Sequence, residues 1–281
     1  MRLTSDKCTY SFWEKHEPVC KVTAPIEITF ETLDCYANQL RDGEGNKDHV
    51  NWDNVNPTTG PVYVEGAQPG DTLKVTIESI DVADFGVVSH GEAVELVDIK
   101  DGYADFLGKF QIPLNKMVGV IGVAPAGDAI NNATPGSHGG NMDTKLIAEG
   151  AVLYLPVAVE GALFALGDVH AVMGDGEVGG TGLEIPADVT VKLELIKGGA
   201  PEFPLVETGD AYAFIVSDQT LDGAIEIACR LMHQFLKEKM PALADEEIHM
   251  LMSLVGEAQV CQIVDPLMTA RFTFPKKYMT T

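Results

Sequence analysis

Glycine and proline interrupt this 281-residue chain 28 and 15 times. Glycine is costly inside regular elements and proline is excluded from most of them, so the apolar runs between them must be short. Those runs read as strands. Residues 25–30 alternate, with Ile26, Ile28 and Phe30 on one face, and 72–80 repeats the pattern after a turn at Gln68-Pro69-Gly70-Asp71. Further candidates are 62–64, 118–123, 151–159, 162–166 and 189–196. Many short strands separated by turns predict a β-rich sandwich or barrel-like region over 1–217. The period changes after residue 217. Ala224, Ile225, Ala228, Leu231, Met232, Phe235 and Leu236 recur at helical spacing, and Pro241 stops them. Asp245-Glu246-Glu247 then opens a second helix over 248–255, and 259–274 is extended again. The expected architecture is mainly β with α+β elements. Residues 218–281 supply two helices and a returning strand packed on the same unit.

Asp and Glu number 42 against 19 Lys and Arg, a net charge of −23. A surface this negative repels nucleic acid and anionic membranes and favours a neutral or cationic small substrate over a strongly anionic one. Cys8, Cys20, Cys35, Cys229 and Cys261 form no Cys-x-x-Cys pair, which argues against a zinc knuckle or a disulfide framework and fits a reducing cytoplasm. No apolar run approaches the roughly 20 residues of a membrane span, and the first residues contain no signal-like apolar segment. A homodimer or higher homo-oligomer is the default expectation for such a chain.

The chemistry-bearing residues concentrate in one stretch. An apolar run ends in Gly167-Asp168-Val169-His170, and strand alternation predicts that Asp168 and His170 project from the same face. A glycine-punctuated turn carrying Asp175 and Glu177 follows at once. A second stretch, Ser137-His138-Gly139-Gly140-Asn141-Met142-Asp143, would alone be a turn with an Asx cap, but beside Asp168 and His170 it becomes a second wall of one pocket. Asp34 closes an early strand, either as a turn former or as a site residue, and His90 precedes Gly91 in a loop that would line the pocket. Imidazole with several carboxylates suits zinc, and an oxygen-rich set also suits calcium. A metal with an open position lowers the pKa of bound water to about 7. A remaining carboxylate would move the proton; Glu177 is the first candidate and Glu257 a weaker one.

Competing chemistries leave fewer traces. The chain has no Gly-x-Ser-x-Gly elbow, no His-Glu-x-x-His helix, no Walker loop and no dinucleotide fingerprint. A cysteine nucleophile remains open at Cys35, beside Asp34, as does its reading as a small buried apolar residue. A non-catalytic module, rigidified by a structural calcium ion, is the rival from outside enzymes.

Several stretches taken together resemble the acetamidase/formamidase family. They are Phe30-Glu31-Thr32-Leu33-Asp34-Cys35, residues 66–77, His138-Gly-Gly-Asn-Met-Asp-Thr-Lys145, Gly167-Asp-Val-His-Ala-Val-Met-Gly-Asp-Gly-Glu177, Ser253-Leu-Val-Gly-Glu257 and Val264-Asp265-Pro266. They occur in order and cover most of the chain. The sequence departs from the family pattern at Glu257-Ala258-Gln259, where an Asp-Leu-Arg-like triplet is expected. The resemblance implies hydrolysis of short linear amides to ammonia and a carboxylate, on a jelly-roll-like β-sandwich with an added α+β portion. It also implies a divalent metal, zinc first and calcium possible. Asp34, His138, Asp143, Asp168 and His170 are the implied metal or pocket residues, with Glu177 and Asp168 catalytic. Asn141, Asp175 and His90 complete the expected substrate pocket.

Overall fold

The computed structural model describes residues 1–41 and 46–279. Among these residues the long strands assemble a nine-stranded sheet. Its order is Arg2–Leu3, Ile26–Thr32, Ala187–Ile196, Thr72–Val82, Val152–Pro156, Leu205–Glu207, Ala211–Asp218, Met268–Pro275 and Glu257–Gln262. The alternation read in the sequence explains the half-buried members. Ala187, Val189, Val191 and Leu193 point inward along Ala187–Ile196 while Asp188, Thr190 and Lys192 are partly exposed.

A second, six-stranded sheet carries Gly139–Asn141, Met117–Gly122, Phe164–His170, Thr58–Val64 and Cys8–Thr9 in that order, with Cys20–Val22 paired parallel to Thr58–Val64. Met117–Gly122 and Phe164–His170 are buried along their whole length, which is why the first and the opening half of the second read as continuous apolar runs. The two sheets share one core, in which Ile28, Phe30, Val75 and Val191 of the first meet Val118, Ile121, Phe164 and Leu166 of the second. The Phe30 and Phe164 rings cross edge to face at 5.7 Å.

Two helices are present among the described residues. The first, α1, spans Leu221–Lys239 and starts from Thr220, whose hydroxyl accepts the Gly223 N–H. The second, α2, spans Asp245–Val255 with its three acidic residues in the first turn. Their apolar stripes, including Ala228, Met232, Leu236 and Ile248, pack on Phe214, Val216, Ala270 and Phe274 at the C-terminal end of the nine-stranded sheet. The fold is therefore mainly β with α+β elements, as the sequence pattern predicts. Among the described residues no helix is long and apolar enough to cross a membrane.

The sequence did not indicate a four-stranded sheet of Phe110–Pro113, Tyr103–Phe106, Ala93–Lys100 and Phe85–His90. It matters because it clamps the segment after His170. Val87 and Glu184 exchange backbone hydrogen bonds of 2.8 Å in both directions. On the other flank the Gly176 N–H reaches the Cys261 carbonyl at 2.8 Å. The glycine-rich turn that carries Asp175 and Glu177 is thus held between the four-stranded sheet and the Glu257–Gln262 strand.

Candidate metal and active site

Asp168 and His170 close the central strand of the six-stranded sheet and meet there, with His170 Nε2 3.6 Å from Asp168 Oδ2. They do not meet by plain alternation. Asp168 has φ of 55°, left-handed backbone within a strand, and the ladder to Met117–Gly122 skips the Gly119 position opposite it. Asp143 and Glu177 share the same feature, with φ of 41° and 47°. Left-handed backbone at non-glycine residues is uncommon and concentrates where surrounding structure imposes it, often at functional sites. Here it aims three carboxylates inward.

His170 is the hub. Its Nε2 lies 3.1 Å from Glu184 Oε1, 3.8 Å from Asp143 Oδ1 and 3.9 Å from Glu177 Oε1. The side chains of His170, Asp143, Asp168, Glu177 and Glu184 are all at least 95% hidden from solvent. Burial penalises the charged imidazole, but the Glu184 and Asp168 carboxylates outweigh it and hold His170 well above its ordinary range. Burial also raises the acids: Glu184 rises to about 8, opposed by His170 and reinforced by Asp168, and Asp143 is pushed well up by burial and by Glu177. Glu177 rises through burial, against the pull of His170.

This concentration of acid is poorly compensated by protein groups. Both Asp143 oxygens, Asp168 Oδ1, Glu184 Oε2 and His170 Nδ1 are buried without a hydrogen-bond partner. Orphaned buried polar atoms are rare and costly, and here they belong to oxygen and nitrogen donors facing one another. Two sets of three donor atoms lie within 4.8 Å of one another around the hub, Asp143/Asp168/His170 and His170/Glu177/Glu184. Glycine makes the space. A Cβ on Gly119 would overlap Asp143 Oδ1 and stand 2.5 Å from Asp168 Oδ2, and one on Gly182 would stand 2.7 Å from His170 Nδ1. The donor set fits a divalent cation.

The other sequence-derived residues lie differently. Asp34 is fully buried just beyond its strand, accepting the N–H groups of Tyr36 at 3.0 Å and Asn38 at 2.7 Å, and burial raises it to about 6. His138 packs edge-on against Phe12 at 5.2 Å, and burial pushes it down to about 4. Neither contributes an atom to a three-donor group among the described residues. Asn141 and Asp143 both flank the carboxyl of Asp265, which burial together with Glu177 raises to about 8. Asp175 is drawn into a two-pronged pair with Arg271, at 3.0 and 2.8 Å, and lines an apolar cavity beside Glu177. His90 is exposed and donates from Nδ1 to the Gly179 carbonyl at 3.0 Å.

Cys35 is buried with Sγ within 4.8 Å of Asp168 and Glu184 oxygens, and burial plus those carboxylates pushes the thiol well up. Sequence reasoning missed Glu184, Asp265 and Gly119. Glu184 is a single acid in the otherwise uncharged run Gly182-Leu183-Glu184-Ile185-Pro186, and Asp265 lies in one of the stretches that carry the family resemblance.

Comparison with known proteins decides the family. The model of the Acetamidase/Formamidase family matches residues 4–109 and 123–265. The chain belongs to the acetamidase/formamidase family. A predicted acetamidase/formamidase from Thermoanaerobacter tengcongensis superposes with a TM-score of 0.95 at 46% identity, over 99% of this chain and 96% of that one. An acetamidase from Bacillus halodurans does so with a TM-score of 0.95 at 40% identity, over 99% and 98%. Among curated proteins, a formamidase of Methylophilus methylotrophus is 23% identical over 265 residues, 68% of this chain and 65% of its own length. A putative formamidase of Schizosaccharomyces pombe is 23% identical over 251 residues, 63% of this chain and 61% of its own. This chain thus spans under two thirds of the length of those two family members.

Proposed function

We propose that this chain hydrolyses short linear amides to ammonia and a carboxylate, using water activated at a divalent metal. The observation that carries the reading is the buried convergence of Asp143, Asp168, Glu177 and Glu184 on His170, with several donor atoms left unpaired. Family membership supports the reaction class, since the relatives above are named for formamide and acetamide hydrolysis.

Asp143, Asp168 and His170 would hold the metal, with zinc favoured by the mixed nitrogen and oxygen set and calcium admitted by the carboxylates. A divalent ion there supplies polarisation of the amide carbonyl and a water acidic enough to ionise near neutral pH. The protein's own groups do the rest. Glu184 stands 3.1 Å from the imidazole Nε2 and is itself held by the Gly182 N–H at 2.9 Å, so its carboxylate is fixed beside the residues that would hold the metal. Glu177 takes the proton from water as the carbon–oxygen bond forms, then passes it to the nitrogen as the carbon–nitrogen bond breaks. Burial raises Glu177, which suits a carboxyl that must hold a proton between the two transfers. Exclusion of solvent around the five side chains strengthens each of these interactions. Cys35 is poorly placed as a nucleophile, because the surrounding carboxylates disfavour its thiolate.

The test is Glu177→Gln in metal-loaded protein. Loss of a general acid/base costs about 10²–10⁴-fold in kcat. That loss with unchanged metal content supports the assignment, and full activity overturns it.

A further inference from the structure

A cavity of about 340 Å³ opens beside the carboxylate and imidazole cluster. Glu177 forms part of its wall, and so does Gly182, whose Cα side abuts the His170 ring. Most of its remaining lining is hydrocarbon, led by Val88, Phe106, Ile112, Val172 and Leu183. The polar side chains at its edge are already engaged. Thr181 Oγ1 donates to the Ser89 carbonyl at 3.2 Å and accepts the Ser89 N–H at 3.1 Å, and Asp175 is paired with Arg271. Val178, 77% exposed, stands at the mouth, so the cavity has an open approach.

The volume lies within the range of about 300–1,000 Å³ that holds substantial ligands. Formamide and acetamide are far too small to cover these walls. We propose that the cavity is an acyl pocket that extends the substrate range beyond short linear amides, to primary amides with a branched aliphatic or aromatic acyl group. This rests on the amide-hydrolysing reading above: with ammonia as the released amine, the acyl group is the only part of the substrate with carbon to bury. The four-stranded sheet supplies Val88, Phe106 and Ile112, so that sheet is the specificity element, while the six-stranded sheet carries the reacting centre.

The experiment measures kcat/KM for formamide, acetamide, isobutyramide, isovaleramide and benzamide with metal-loaded protein. Burial of each added methylene is worth about 0.8 kcal/mol, so kcat/KM is expected to rise about fourfold per carbon up to the pocket's limit. Ile112 is half-buried on an edge strand, where a larger side chain is tolerated. Ile112→Trp narrows the cavity and is expected to shift the benzamide-to-acetamide ratio at least tenfold towards acetamide. A kcat/KM that falls steadily from formamide, with a ratio indifferent to Ile112→Trp, overturns the pocket and leaves the amidase reading standing. No turnover of any amide overturns both.

Discussion

His170 Nε2 stands 3.1 Å from Glu184 Oε1, and the two belong to segments that pair through an isolated β-bridge. The contact joins the strand bearing Asp168 and His170 to the segment locked onto the four-stranded sheet by the Val87–Glu184 backbone exchange. A change in that small sheet is therefore felt at the imidazole without touching it.

Gly119 tests whether the carboxylate cradle is needed for metal. A methyl group at this position would overlap the Asp143 carboxylate and press on Asp168, while the strand's backbone stays in an ordinary conformation. Gly119→Ala is expected to weaken divalent-metal binding by about 10–100-fold, comparable to losing an orienting group. Calorimetric titration of the chelator-treated protein with zinc reads this directly. Unchanged affinity would mean that the metal, if bound, lies elsewhere.

The pH dependence of stability carries a signature of His138. Its folded-state value of about 4 lies below the ordinary value of about 6.5, so the folded protein prefers the neutral ring. The stabilisation is complete above about pH 6.5 and is lost as the pH falls towards 4. At pH about 4.5 the loss amounts to about 2 kcal/mol. Urea unfolding should show the wild-type protein losing that much more than His138→Gln between pH 7 and 4.5. Parallel losses in both proteins would contradict it.

Arg271 anchors the turn that presents Glu177. Its guanidinium holds Asp175 at 2.8 Å and Gln259 Oε1 at 2.9 Å, with the arginine side chain 4% exposed and Asp175 33% exposed. Arg271→Met keeps much of the packed volume but frees the turn. Because Asp175 can still reach water, the expected loss is about 1–3 kcal/mol. Thermal unfolding reads that loss, and kcat should fall while metal content does not. A stable variant with normal kcat would show that the turn holds itself.

Much of this was legible because local patterns and tertiary structure agree. The helical period of Ala224, Ala228, Leu231, Met232 and Leu236 predicted α1, which ends two residues before the Pro241 that was expected to stop it. The glycine-flanked strand ends drew attention to Asp168, His170 and Glu177, and the fold brings both carboxylates within 4 Å of the imidazole Nε2. The four-stranded sheet was not legible. Its longest member, Ala93–Lys100, exposes valine and leucine beside charged residues on both faces, so it has no clean alternation. Glu184 and Asp265 were missed for a different reason. An isolated carboxylate in an apolar segment looks like surface until non-local pairing buries it, and that pairing with Val87 and Asn141 is not written in either residue's own neighbourhood.

Ammonia release tests the central claim most directly, measured with acetamide and isovaleramide on protein as purified, after exhaustive chelation, and after zinc is restored. The account predicts release that chelation abolishes and zinc restores. Release that survives complete removal of metal would contradict the role given to Asp143, Asp168 and His170. Absence of release with stoichiometric metal bound, accompanied only by a change in melting temperature, would make the cluster a structural cation site instead.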